Sequence, residues 1–312
     1  MLFDVIRRTI LTLAAGLPLA APAAAATPDF SLNGETLAWR LEPPGGGAPS
    51  YLVGTIHAVD DRLRPAIDRA TGLLEEAGAL VVEVELGDGA QLDLINAMLL
   101  RDGRTLPGII GDDLFRQLVA IGRNYDLPAE FLGNLAPWGA ALMISIPVEQ
   151  TERMASGTPV FDQALIDRAD AAGLPVATLE TVEEQIAAFA GHPEPDQIAM
   201  LVQAVEMYPR LDEMVEEMIA RYVEDDLAAL AEVALREMQT GDEGLNQRVL
   251  DLLIVERNRR MAERLLPLIE ARPYLVAIGA LHLPGEEGVL NLLARQGWTV
   301  TPADSRPRKR IR

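Results

Sequence analysis

Apolar and polar positions along this chain predict a hairpin first. Thr36 to Leu41 and Tyr51-Leu52-Val53-Gly54-Thr55-Ile56 read as two strands, joined through the turn-forming run Pro43-Pro44-Gly45-Gly46-Gly47. His57 falls at the end of the second strand. Pro65 to Ala77 has helical periodicity with a proline at its start. Ala79 to Leu86 then reads as a buried strand carrying two carboxylates, and strand alternation predicts Glu83 and Glu85 on one face.

From Gln91 to about Arg272 the pattern is mostly helical, with breaks near Gly103, Pro128, Pro147, Gly173, the Gly191-His192-Pro193-Glu194-Pro195 loop, Pro209 and Gly241. One short strand interrupts it. Leu174 to Leu179 follows a helix over Val160 to Ala172 and its Gly173 stop signal, and ends at Glu180. The last unit is a strand over Tyr274 to Gly279, then His282, a Pro284-Gly285 turn, a helix through Arg295 and a closing strand at Trp298 to Thr301. Four apolar strands therefore end in His57, in Glu83 with Glu85, in Glu180 and in His282. Ligand sites of open α/β sheets lie at the carboxyl ends of the strands, so these ends are expected to converge. The fold class is α/β: a sheet formed by the N- and C-terminal portions, with a large helical insertion at roughly 91–272 acting as a cap or wall.

The first 26 residues change the picture of location. Arg7 and Arg8 precede an apolar run from Ile10 to Leu19, and small residues follow at Ala24, Ala25 and Ala26, the layout of a signal peptide. The expected division is a signal peptide over 1–26, one domain over 27–304, and a short basic tail over 305–312. The mature chain, about 285 residues, is large enough for a well-filled core. No other segment is apolar enough to span a bilayer, so the mature chain is expected to be soluble and periplasmic, exported across the inner membrane. The net charge of −20 becomes one unit more negative once the leader, with two Arg and one Asp, is removed. Such a surface repels phosphate backbones and argues against nucleic acid as a partner. Cysteine is absent, which excludes disulfides, thiol nucleophiles and Cys-based zinc sites.

The chain has three histidines, and two occupy the same local frame: apolar strand, Gly, two residues, His, at Gly54 to His57 and Gly279 to His282. An imidazole at a strand end can bind a metal, act as a general base, or merely cap a loop carbonyl. His192, between Gly191 and Pro193, is expected in solvent. Glu83 and Glu85 would cost several kcal/mol if buried unpaired, so each must meet a cation, a donor or water. A metal or an arginine would serve. Two His with one or two carboxylates form the ligand set of a catalytic transition-metal site, and hydrolysis is the chemistry that follows. Arg257, on a helix ahead of the second His strand, either binds a substrate carboxylate or oxyanion or sits exposed beside a Glu. Asp162 reads as a helix N-terminal carboxylate. Met200, Met207, Met214 and Met218 line either a flexible groove or the core.

The ordered set Leu52 to His57, Leu80 to Glu83, Phe161-Asp162-Gln163 through Leu179-Glu180-Thr181 to Gln185, Glu256-Arg257-Asn258 and Gly279 to Gly285 resembles the TraB/GumN family, which includes the TIKI metalloproteases. The resemblance covers nearly the whole mature chain. It implies a fold shared with the erythromycin-esterase (EreA) and ChaN-like proteins. It also implies a site in which His57, His282, Glu83 and Arg257 are the functional residues. His57, His282 and Glu83 then hold the metal, while Glu83 and Arg257 serve catalysis and Glu85 and Glu180 stand in reserve. For the TIKI branch it implies divalent-metal-dependent cleavage of a peptide or protein substrate, with manganese or cobalt favoured and zinc possible. The rival implied by other relatives is a non-catalytic periplasmic peptide- or haem-binding protein; a chain with only 4% aromatic residues is a poor haem carrier.

Overall fold

Six short strands pair into one mixed sheet in the order β4-β3-β5-β2-β1-β6. They are β1 (Ala38–Glu42), β2 (Ser50–Thr55), β3 (Leu80–Val82), β4 (Val176–Thr178), β5 (Leu275–Gly279) and β6 (Thr299–Pro302). The computed structural model describes residues 34, 36–85, 89–237 and 243–303. The leader expected over 1–26 and the tail over 305–312 lie outside the described residues.

The central strands β2, β3 and β5 are buried along their whole length, which is why they read as continuous apolar runs rather than alternating ones. β4, β3, β5 and β2 run parallel to one another, while β1 is antiparallel to both β2 and β6. Four carboxyl ends therefore leave the sheet on one side. Thr55 is paired with Gly279 in the β2–β5 register, so the two Gly-x-x-His segments emerge side by side.

The strand expected over Ala79 to Leu86 stops at Val82. Its neighbour's next amide, Gly279 N–H, donates to the Glu83 side chain at 2.6 Å instead of continuing the ladder. Meanwhile the Glu83 carbonyl accepts from the amides of Leu179 and Glu180 beyond β4, at 3.1 and 2.7 Å. The chain turns away there, and Glu85 is exposed, not a buried partner of Glu83 on one strand face.

Helices Arg64–Ala77, Phe161–Ala172, Glu256–Ala271 and Val289–Arg295 contribute to the hydrophobic core that surrounds the sheet. Gly173 ends the second of these in a left-handed conformation at φ 65°, as its position in the sequence predicts. A second core, separate from the sheet, is built by helices between residues 90 and 255, with Trp138 stacked on Phe189. Met200 is buried in that core and Met214 in a small third cluster with Leu211 and Val233. The methionines thus pack the interior instead of lining an open groove. His192 is also buried, at 3% exposure, contrary to the expectation from its Pro-rich loop. Gln197 reaches back to its carbonyl at 2.8 Å and closes the turn over it. No helix among the described residues is long and apolar enough to cross a membrane.

Candidate functional site

At the carboxyl edge of the parallel strands, polar side chains collect where the flanking sequence is apolar. Glu83, Glu180, Arg257, Asn258 and His282 are all buried there, and Arg257 is completely enclosed. His57 stands at the lip, its side chain 13% exposed.

Gly54 permits the close approach of the two histidine segments. A Cβ at this position would lie 3.0 Å from the Cα of Ala280, in the turn that carries His282. The Gly54 carbonyl accepts a 2.6 Å hydrogen bond from the buried Tyr222 hydroxyl, which ties the helix Leu211–Val223 to the same point.

Arg257 organises the carboxylates. Its Nη2 donates to Glu83 Oε2 and to Glu180 Oε2, both at 2.7 Å, its Nε reaches Glu180 at 3.0 Å, and its Nη1 donates to the Leu253 carbonyl at 3.2 Å. Leu253 belongs to a π-helical turn, Asp251–Val255, immediately before the helix Glu256–Ala271, and such turns loosen the regular ladder. Arg257 is therefore held by two carboxylates and a backbone carbonyl, and it is not the exposed arginine beside a Glu that was one of the two readings of the sequence. Glu180 also receives Arg260 and Gln185, both at 3.4 Å. A carboxylate in this setting is a structural anchor for the arginine.

Burial raises the Glu83 carboxyl, but the cationic groups around it, of which Arg257 is permanently charged, and the Gly279 amide outweigh that cost, so its titration lies below the usual carboxylate range. Burial pushes His282 down to about 4, and Arg257 pushes in the same direction. Its Nδ1 stands 2.6 Å from Asn258 Oδ1. Asn258 Nδ2 donates to the Glu287 carbonyl at 2.8 Å, which orients the amide so that its oxygen faces the ring. Nδ1 must then carry the proton, and Nε2 presents a lone pair 3.8 Å from Glu83 Oε1 with no hydrogen-bond partner.

His57 has a parallel arrangement. Its Nδ1 lies 3.2 Å from Oδ2 of Asp162, off the line of a well-aligned hydrogen bond, and Nε2 is again without a partner. Burial lowers the basicity of this ring, but Asp162 and Glu83 outweigh it and raise the titration above the ordinary imidazole value. Asp162 Oδ1 accepts from Thr55 Oγ1 at 2.8 Å. Asp162 and Asn258 are the site residues that sequence reasoning left without a role. Their one signal was position, Asp162 in the first turn of a helix following an apolar pair and Asn258 beside Arg257.

Among the described residues no group of three or more His, Cys, Asp or Glu side chains is drawn together tightly enough to hold a metal as it stands. The donor chemistry nonetheless fits one. Two imidazoles offer buried, unpartnered Nε2 atoms, each ring with its other nitrogen turned to an oxygen acceptor, and Glu83 Oε1 retains a lone pair beside its bond to Gly279.

A mixed α/β protein whose parallel strands deliver a buried His, Glu and Arg centre to one sheet edge is the class that fold and site define. The sequence pattern of the TraB/PrgY/gumN family matches residues 37–302, and the chain belongs to that family. Metalloprotease TIKI2 of Danio rerio is 26% identical over 311 residues, covering 84% of this chain and 60% of that protein. Metalloprotease TIKI1 of Homo sapiens is 24% identical over 304 residues, covering 82% and 60%. The uncharacterized protein YbaP of Shigella flexneri is 23% identical over 256 residues, covering 80% of this chain and 89% of YbaP. The chain thus spans about 60% of the length of the metalloproteases it matches.

Proposed function

We propose that this protein is an extracytoplasmic, divalent-metal-dependent hydrolase that cleaves peptide bonds. The observation that carries the reading is the pair of buried, partnerless Nε2 atoms on His57 and His282, the latter 3.8 Å from the ionised carboxylate of Glu83. A buried imidazole nitrogen with nothing to bond is costly, and a cation between two of them removes that cost. In this reading His57, His282 and Glu83 hold a manganese or cobalt ion, with zinc as the alternative. Bound there, the ion supplies Lewis-acid polarisation of a carbonyl and acidifies water.

The chain's own residues supply the rest. Glu83, ionised at neutral pH, is the carboxylate placed to take a proton during attack on a peptide carbonyl. Arg257 fixes the rotamer of Glu83 through a 2.7 Å bond and is itself steadied by Glu180, so the carboxylate cannot swing away from the histidines. The two TIKI relatives, named as metalloproteases, support peptide as the substrate class. The fold that goes with this reading is the one the family resemblance implies, shared with the EreA and ChaN-like proteins. The basic, apolar and small-residue order over residues 1–26 supports export to the periplasm.

A peptide-library digestion tests the substrate class. Cleavage products that require added manganese or cobalt, vanish with a chelator and are absent for Glu83→Gln are expected. Metal binding without cleavage of any library member would remove peptidase from the assignment.

A further inference from the structure

Thr55 and Asp162 are 107 positions apart, yet they form a two-residue bracket around His57. Thr55 precedes His57 by two residues at the end of β2, and Asp162 lies in the first turn of the helix Phe161–Ala172. The Thr55 hydroxyl donates to Asp162 Oδ1, which turns Oδ2 toward His57 Nδ1 at 3.2 Å. Asp162 Oδ2 has no other partner, and neither does Nδ1. The helix N-terminus adds a favourable field for the carboxylate.

The contact restricts the ring. A neutral His57 with its proton on Nε2 would place the Nδ1 lone pair against a carboxylate oxygen at that distance, two electron-rich atoms facing one another in a buried setting. The tautomer with the proton on Nδ1 turns the same contact into an attraction, and a small ring rotation aligns it as a hydrogen bond. We propose that Asp162 is the positioning residue for His57, holding its proton on Nδ1 so that the Nε2 lone pair is left free. Asn258 does the same for His282 with a neutral oxygen. The two histidines are therefore oriented alike by partners of different charge, and His57, with the anionic partner, is the more electron-rich donor. The catalytic consequence of this positioning rests on the metal-dependent reading of the site, while the position of the proton does not.

Ring-nitrogen NMR of the metal-free, 15N-labelled protein, at a pH well above the imidazole range, reads the tautomers directly. With only three histidines, assignment through His57→Gln, His192→Gln and His282→Gln is straightforward. Wild-type protein should show a protonated Nδ1 and a bare Nε2 for His57. In Asp162→Ala the His57 signals should move toward the Nε2-protonated form that free imidazole favours, while those of His282 stay in place. Manganese, cobalt or zinc affinity of that variant should fall by about 10–100-fold. Thr55→Val, which releases the carboxylate without deleting it, should give a smaller shift in the same direction. A wild-type His57 with its proton on Nε2 overturns the inference, and so does a tautomer unchanged by Asp162→Ala. If Asp162→Ala does not fold, the wild-type spectrum alone decides. If the tautomers behave as stated but wild-type protein binds none of the three metals, Asp162 keeps its role on His57 and the metal-dependent reading falls.

Discussion

Asn258 Oδ1 faces His282 Nδ1 at 2.6 Å, and the same amide is pinned by its Nδ2 bond to the Glu287 carbonyl at 2.8 Å. The second bond gives the first its meaning. Because the amide nitrogen is already committed, the oxygen must face the ring, and His282 is left with one free lone pair, on Nε2. Replacing Asn258 with Ala strands a buried Nδ1–H and should cost about 1–3 kcal/mol of stability, read by urea unfolding. Metal affinity should drop by about 10–100-fold in calorimetric titration. A variant that binds metal as wild type does would show that this amide has no part in orienting the ring.

Arg257 is completely buried between Glu83 and Glu180. Removing one member of a buried ion pair leaves uncompensated charge, so Arg257→Met should lower the unfolding free energy by about 3–5 kcal/mol. Arg259→Met, which breaks a 2.8 Å pair to Glu287 on the exposed side of the same helix, should change it by less than about 1 kcal/mol. Equal losses for the two would contradict the burial argument.

The two site histidines should titrate on opposite sides of the ordinary imidazole value of 6.5 in metal-free protein, His282 near 4 and His57 above 6.5. The consequences for stability have opposite signs. An unfolded histidine binds its proton below about 6.5, whereas folded His282 does not until about 4, so its contribution is lost as pH falls through that window. The His57 contribution is fully present below 6.5 and is lost as pH rises through its higher folded value. NMR titration of the two rings checks this; His282 titrating above His57 would reverse the electrostatics described for the site.

Two glycines should respond oppositely to alanine. Gly54→Ala puts a methyl group 3.0 Å from the Ala280 backbone and should destabilise by about 1–3 kcal/mol, parting the two histidine segments. Gly72, in the helix Arg64–Ala77, has open space around the same position. Gly72→Ala should stabilise by about 1 kcal/mol through helix propensity. Thermal unfolding of both variants is sufficient to check the pair.

The apolar runs at Leu52, Val81 and Val276 made the central parallel strands legible, because a strand buried on both faces has no alternation to be confused with surface, whereas the half-buried edge strand at Val176 was marked by the Gly173 stop signal before it. The repeated Gly-x-x-His frame likewise marked both histidines. What sequence could not supply was the end of β3, since that depends on Glu83 capturing an amide from a strand 196 positions away. The same limit explains Glu85, which alternation paired with Glu83 but which lies beyond the end of the strand. His192 was misplaced because a Gly and Pro-rich loop reads as solvated, whereas its burial comes from tertiary packing. Asp162 and Asn258 act only through rings brought to them by the fold, 105 and 24 positions away, and no local pattern reveals such partners.

Calorimetric titration of manganese, cobalt and zinc into the metal-free mature protein, alongside His57→Ala and His282→Ala variants confirmed as folded, tests the central claim most directly. Stoichiometric binding of one ion by the wild type, lost in both variants, is the result expected of a composite site built from two strand ends. Folded wild-type protein that binds none of the three metals, or binding that survives both substitutions, would contradict it.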